Sequence, residues 1–483
     1  MASSTSYSEW SKESLIARIA ELERGQKSIM PSKSLKTPAM PNPPDRRKHQ
    51  KTATQRPFNF SANPSRPIAL RISYLGWAYH GLTAQEADTV PTIESHLYHA
   101  LTTTRLIPDR KSCGFSRCGR TDRGVSAFEQ VVGLWIRTAL PVGSGGTVAW
   151  EDVDKTKRDG GINKCSETQG ELDYIGILNK ILPEDIRVLS WSPVEPTFDA
   201  RFGCAYRRYK YFFPADALDI SAMRAAAKQY VGVHDFRNFC KVDPAKNITS
   251  YERRVLDADV RPLGHEDDEN WTDSTGMLEP ATGKSVEPNQ FYVFVVKGHA
   301  FLWHQVRCMM AILYLVGSHK EDATLPSMLM DLSLHPSDSG RPTYDMASEI
   351  PLVLVDCGYP DGTFTWQCTD EQSHKTERRL NALWRGHATK AVQVARLIDG
   401  LDIPVTDGPH YCSPPDVVRG NGKYVPVMKR PRCDSIQERQ RKGADAKSRK
   451  RREVDADMQA MTPMDLTGSD SVPSDQSKKA RIQ

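Results

Sequence analysis

Cys118-Gly119-Arg120-Thr121-Asp122-Arg123-Gly124-Val125-Ser126-Ala127-Phe128 is the stretch around which the chain is organised. One carboxylate sits between two arginines, with a glycine on either side. Gly119 and Gly124 let the backbone turn sharply and let another molecule approach closely. The run that follows (Val131, Val132, Leu134, Trp135, Ile136) is short, apolar and rich in β-branched and aromatic residues, so it reads as a buried strand. Asp122 is therefore expected on a tight loop entering a sheet, with Arg120 and Arg123 lowering its pKa and keeping it ionised. The competing reading is a loop aspartate that caps a neighbouring amide beside surface arginines.

Working outward, the flanking segments build an α/β half. Ile68–Tyr74 reads as a strand, followed by the aromatic turn Gly76-Trp77-Ala78-Tyr79-His80-Gly81. Thr92–Leu106 is predicted helical, because Ile93, Leu97 and Leu101 recur at helical spacing behind Pro91. Pro141–Gly170 lacks periodicity and reads as a surface insertion. Leu172, Ile175, Leu178 and Leu182 mark a second helix and Ile186–Trp191 a further strand.

A second half follows in similar order. Arg201–Phe213 is predicted as a strand and Asp219–Val231 as a helix, with a polar loop over Gly232–Lys241. Arg253–Val260 and Phe291–Lys297 are expected to pair antiparallel across an acidic insertion, before a helix at Ala300–Val316 and a strand at Leu352–Asp356. The expected organisation is an N-terminal helix (Glu9–Arg24) and flexible linker in residues 1–66, then lobes at 67–200 and 201–360. A helical extension over 361–426 and a disordered basic tail over 427–483 complete it. No close internal sequence repeat accompanies the shared order of the two lobes.

Composition narrows the function class. The 483 residues carry a formal net charge of only +5, but charge is segregated. Lys423–Arg452 holds twelve Lys/Arg against three acids, and Asp257–Glu287 nine acids against two basic residues. Such segregation points to contact with a polyanion. Lys429–Arg432 and Lys447–Arg452 are spaced like a bipartite nuclear import signal, so residence in nucleus and cytoplasm is expected. No apolar run reaches membrane-spanning length, so no membrane partner is expected. The ten cysteines show no C-x-x-C pair, and Cys113 and Cys118 have no partner pair at zinc-site spacing, so free thiols and no metal site are expected. There is no P-loop and no G-x-G-x-x-G after a strand.

Three further elements could carry chemistry. Arg207-Arg208-Tyr209-Lys210-Tyr211 alternates cation and aromatic, placing Arg208 and Lys210 on one strand face and Tyr209 and Tyr211 on the other. Aromatics stack on unpaired bases and cations hold phosphates, although a half-buried strand with core tyrosines has the same pattern. Phe301-Leu302-Trp303-His304-Gln305-Val306-Arg307 puts a cation at the start of an apolar helix. A buried Arg307 needs a carboxylate, for which Asp122 is the candidate, while an arginine extending over the helix end to solvent is the plainer reading. His234-Asp235 is a candidate hydrogen-bonded pair.

At these residues the chain resembles the TruA-type family of tRNA pseudouridine synthases. Gly119–Ala127 matches its active-site motif, Phe198–Phe202 with Arg207–Tyr211 its second motif, and Phe301–Arg307 its third. Tyr74-Leu75-Gly76-Trp77 and Asp235–Lys241 look most like the eukaryotic branch that modifies positions 38 and 39 of the tRNA anticodon stem-loop. The resemblance implies an α/β (α+β) fold of two ferredoxin-like lobes with mixed or antiparallel sheets facing a basic cleft, assembled as a homodimer. It implies Asp122 as nucleophile, Tyr209 stacked on the target uracil, and Arg307 paired with Asp122. Arg120 would fill the gap left by the flipped base. Apart from the resemblance, Arg123, Arg208, Lys210 and His234 are further candidate RNA contacts. No cofactor is implied. The rival from another class is a catalytically idle tRNA-binding or folding chaperone; an unrelated acid-base hydrolase would need a second carboxylate beside Asp122.

Overall fold

A computed structural model describes residues 58–85, 90–144, 146–159, 168–215, 218–241, 250–264, 291–335, 340–400 and 424–434, with a few positions between 438 and 448. The expected N-terminal helix, its linker, the acidic insertion at 265–290 and most of the Lys447–Arg452 cluster lie outside the described residues.

The first half runs β1 (Pro64–Tyr74), α1 (Ile93–Thr103), β2 (Ser116–Arg117), β3 (Ser126–Arg137), β4 (Val148–Ala149), α2 (Val153–Asp159), α3 (Tyr174–Asn179) and β5 (Ile186–Pro193). Thr92 starts α1 as its sequence context suggests: its hydroxyl accepts from Ser95 N at 3.2 Å while Ser95 Oγ accepts from Thr92 N at 3.0 Å. Ile68, Leu70 and Ile72 alternate onto one face of β1 and pack with Ile93, Leu97, Leu101, Ile175 and Leu178. Ala69, of opposite parity, faces a small apolar cluster on the other side of the sheet.

The second half runs β6 (Tyr206–Pro214), α4 (Ile220–Lys228), β7 (Gly232–Asp235), β8 (Glu252–Pro262), β9 (Phe291–Gly298), α5 (Gln305–Gly317), α6 (Leu325–Met330) and β10 (Leu352–Gly358). Tyr211, Phe213, Phe294 and Val296 pack under Met223, Met309, Ile312 and Leu313 to form its core. A long helix, α7 (Asp370–Asp399), follows. Among the described residues no helix is long and apolar enough to cross a membrane.

Among the described residues ten strands form one sheet. Its order is β4-β1-β3-β10-β6-β9-β8-β7, with β5 also on β1 and β2 on β3. Taken separately, the halves read β5-β1-β3-β2 and β10-β6-β9-β8, each the fourth, first, third and second strand of a β-α-β-β-α-β unit. Both are therefore ferredoxin-like in order. They join where β10 pairs in parallel with β3, Val353 opposite Ser126 and Leu354 opposite Ala127, while its other edge pairs antiparallel with β6. The join falls directly after the Asp122 loop and beside Tyr209, which packs against both cores.

Four local expectations differ. Gly232–Asp235 is an edge strand on β8, not loop. The α5 helix starts at Gln305 and not at Ala300, because His304 takes a left-handed backbone (φ 64°) that a helix cannot contain. The Pro141–Gly170 insertion contributes β4 and α2. Residues 424–434 are docked and are not the start of a loose tail: Val427 is fully buried in the second core, and Tyr424 Oη and Val427 N both donate to Glu321 Oε1 at 2.6 Å. A short extended segment with two or three apolar anchors has no periodicity to read.

Candidate active site

The loop between β2 and β3 is held from three sides. Gln130 Nε2 donates to Gly119 O at 2.8 Å, the Thr121 and Tyr74 hydroxyls bond at 2.8 Å, and Gly124 N donates to Tyr79 O at 3.1 Å. Two glycines allow this packing. Gly81 (φ +91°) lies so close that a Cβ would stand 2.8 Å from Thr121 O, and at Gly124 (φ +79°) a Cβ would stand 2.5 Å from Glu349 Cγ. Arg207 adds a clamp from β6, donating to Cys118 O and Arg201 O, each at 2.9 Å.

Asp122 leaves this loop toward the segment that precedes α5. Trp303 Nε1 donates to its Oδ1 at 3.0 Å, and His304 Nε2 lies 3.5 Å from its Oδ2. Burial and the cations Arg307, Lys241 and Arg341 hold His304 down to about 4, so at neutral pH it is an uncharged ring. Its Nδ1 is buried without a hydrogen-bond partner, which leaves the Nε2 side as the one facing Asp122. The His304 backbone strain is thus spent at the carboxylate.

Arg307 does not form the expected ion pair with Asp122. Its NH2 donates to Glu349 Oε2 at 2.7 Å and its Nε to Ala347 O at 2.8 Å. The reasoning that this arginine needs a carboxylate holds, but Glu349 supplies it. Arg307 still acts on Asp122 as a nearby positive charge. The expectation that Arg120 and Arg123 hold Asp122 ionised is likewise corrected. Both side chains are exposed and neither contributes to its titration. Burial raises the Asp122 pKa above its ordinary value; the Trp303 bond and Arg307 pull it back, and Glu349 pushes it further up.

Tyr209 lies half-buried on β6, edge-on to Phe301 with ring centroids 5.3 Å apart. Burial, with Asp122 among the nearby negative groups, drives its hydroxyl far above the usual phenol value, so it stays protonated. One carboxylate, an aromatic face, an indole donor and an arginine–glutamate pair therefore meet at the seam of the two halves. Arg120, Arg123 and Lys241 are exposed cations on the contributing segments.

Comparison with known proteins bears on this arrangement. A family model described as tRNA pseudouridine synthase matches residues 226–360. The tRNA pseudouridine(38/39) synthase of Homo sapiens is 38% identical over 450 residues, 88% of this chain and 86% of that protein. The chain belongs to the tRNA pseudouridine synthase family. Its relative of the same name from Saccharomyces cerevisiae is 38% identical over 373 residues, 75% of this chain and 73% of that protein. A tRNA pseudouridine synthase A from Methanothrix thermoacetophila is 28% identical over 336 residues, 69% of this chain and 96% of its own length.

Within this pseudouridine synthase fold, other residues singled out from the sequence lie elsewhere. Arg208 and Lys210 point to the face of β6 opposite Tyr209. Arg208 Nε donates to Asp356 at 2.6 Å, and Lys210 is 4% exposed. His234 is on β7, at the far edge of the sheet, where Nε2 meets Val231 O at 2.9 Å. The expected His234–Asp235 bond is not formed; Asp235 takes the guanidinium of Arg237 through two contacts of 2.9 Å.

Sequence reasoning missed Trp303 and His304 as the groups touching Asp122, and Glu349 entirely. Trp303 and His304 lie within Phe301–Arg307, where a polar pair just ahead of an apolar helix was the available signal. Glu349 is a lone acid in a loop and gave none. Cys118, Cys204 and Cys357, far apart in sequence, bring their sulfurs within 4.8 Å of one another, a grouping that no sequence spacing indicated.

Proposed function

We propose that this protein isomerises uridine to pseudouridine in tRNA, with Asp122 as nucleophile and the anticodon stem-loop, positions 38 and 39, as its target. The observation that carries the reading is Asp122 itself: a partly buried carboxylate fixed by the Trp303 indole, beside Arg307 and Tyr209, in a chain of this family. The reaction breaks N1–C1′, forms C5–C1′ and moves the C5 proton off the ring while N1 gains one, so it needs no net oxidant or water. Attack by Asp122 on C1′ or on C6 of the uracil divides a difficult step in two. Oδ1 accepts from Trp303 at 3.0 Å, while Oδ2 has only the longer 3.5 Å approach of His304 Nε2, so Oδ2 is the more available attacking oxygen. The uridine has to leave the stem stack to reach it. Tyr209 offers a ring face for the flipped base, and its strongly raised hydroxyl argues against a phenolate as the base that removes the C5 proton.

Exposed Arg120 and Arg123 suit phosphate contact or the gap left by the extruded base. A homodimer fits the apolar side chains left open on α7, among them Leu380 (42% exposed) and Trp384 (68%). Residence in nucleus and cytoplasm follows from the basic C-terminal clusters, although Arg430 of the first is built into the fold.

The test is tritium release from tRNA carrying C5-labelled uridine. Release by the wild type, abolished in Asp122→Asn with tRNA affinity kept within about tenfold, is the expected result. Binding without release by the wild type would instead identify an idle tRNA chaperone.

A further inference from the structure

Directly behind the Asp122 loop, the structure assembles a thiol cluster that the isomerisation chemistry does not use. Cys118 heads the loop, Cys204 precedes β6 and Cys357 lies on β10, and their sulfurs lie within 4.8 Å of one another. All are free cysteines. The sheet register brings them together: Cys357 stands opposite Arg207, Ala205 N donates to Gly358 O at 2.8 Å, and Arg207 grips Cys118 O. Isolated buried thiols behave as small apolar side chains. Two features here go beyond that role.

The first is charge. Arg207 is half-buried beside the sulfurs, and its described hydrogen bonds all go to carbonyl oxygens, those of Cys118, Arg201, Cys204 and His299. No carboxylate balances it among those contacts. The second is access. Cys357 lines a cavity of about 330 Å³ that it shares with Arg71, Glu129, Tyr206 and Tyr359, which gives solvent a route to the cluster.

From the three converging sulfurs, the guanidinium beside them and the cavity at Cys357, we infer that Cys118, Cys204 and Cys357 form a zinc site with solvent as fourth ligand. Zinc takes thiolates at about 2.3 Å in tetrahedral geometry, which sets sulfurs about 3.8 Å apart. Closing to that spacing takes a small inward rotation of side chains already in contact. Binding releases the thiol protons to solvent and changes no oxidation state. Three thiolates on a divalent ion leave one net negative charge, which Arg207 offsets. A monovalent copper ion on the same thiolates would leave two net negative charges, of which Arg207 offsets only one, which favours zinc between the two thiophilic ions. The ion would pin the root of the Asp122 loop to β6, which carries Tyr209, and to β10, which joins the halves.

The experiment uses the full chain, purified in reductant and dialysed against metal-free buffer, with metal content read by mass spectrometry. A stoichiometric zinc ion is expected in the wild type, falling to background in Cys118→Ser and in Cys204→Ser. Cys368→Ser, which removes an exposed thiol elsewhere, is expected to retain it. Circular dichroism establishes that each variant is folded. Cobalt(II) added to stripped wild-type protein is expected to give thiolate-to-metal absorption, a readout that does not depend on any variant folding. A reduced wild type that takes up neither zinc nor cobalt overturns the inference, as does zinc retained in both serine variants. Copper bound where zinc does not bind overturns the choice of ion.

Discussion

The two halves share one strand order but use it differently. In the first half the connection between the second and third strands, β2 to β3, carries Asp122. In the second half the matching connection, β8 to β9, holds the acidic insertion, and the site is reached from the next connection, β9 to α5, with Trp303 and His304, and from Arg307 in the first turn of α5. The first half's own version of that connection, β3 to α3, carries β4 and α2. Each half thus gives the site a different loop and lets the other one grow. The parallel contact of β10 with β3 brings the two chosen loops face to face. A duplicated architecture has become one asymmetric site in which one half supplies the Asp122 carboxylate, the proposed nucleophile, and the other shifts its charge.

The strongest break in that division is Asp122→Asn, which removes the first half's contribution. Turnover is expected to fall by at least about ten-thousand-fold, as when an enzyme loses its nucleophile. Single-turnover assay of pseudouridine formation checks it. The same variant should melt higher at neutral pH. The folded-state pKa of Asp122 lies above its ordinary value, so the native state holds the proton more tightly than the unfolded chain. Wild-type stability is therefore lost as pH rises through the interval between the two values. Asn does not titrate, so its advantage should shrink as pH falls below that interval. An advantage that does not change with pH would reject a burial-raised Asp122.

Next come the groups by which the second half sets that charge. Arg307→Ala removes a pull toward the ionised form and leaves Glu349 unopposed, so the acid limb of the pH–rate profile should move upward and turnover should drop. Glu349→Gln should move the limb the other way. Limbs that stay fixed in both variants would mean that neither group acts on Asp122. Trp303→Phe keeps a ring but deletes the indole donor. A hydrogen bond to a charged acceptor contributes about 1.5–3 kcal/mol; with the Trp303 side chain partly exposed the lower end applies, or a loss of about tenfold in turnover.

This asymmetry also explains what could be read in advance. Period-2 runs such as Ile68, Leu70, Ile72 and helical repeats such as Ile93, Leu97, Leu101 are local records of burial, so both halves and their order were legible. Asp122 was legible because glycines and cations crowd around it within a few residues. Its true partners were not. Whether Arg307 meets Asp122 or Glu349 depends on how the Ala347–Glu349 loop returns past the first turn of α5, a separation of 42 residues for the glutamate. Three cysteines from three segments obey no spacing rule for the same reason. Arg430 and Val427 show the reverse error, a charged composition concealing two buried anchors.

The smallest effect is expected at His234, where the sequence suggested an RNA contact and the structure places the far edge of the sheet. Its Nε2 is satisfied by Val231 O and its ring lies against Phe236, with centroids 6.1 Å apart, so it serves the local turn. Between β7 and the Asp122-bearing connection stand β8, β9, β6 and β10. Substitution of an edge residue with one backbone contact shifts stability by about 0.5 kcal/mol, and His234→Ala should leave single-turnover rate within about twofold of wild type. Binding is the separate arm of the test. A loss of tRNA affinity without loss of rate would extend the RNA footprint across the whole second half, and would mean that the half which shifts the charge of Asp122 also carries the substrate's far end.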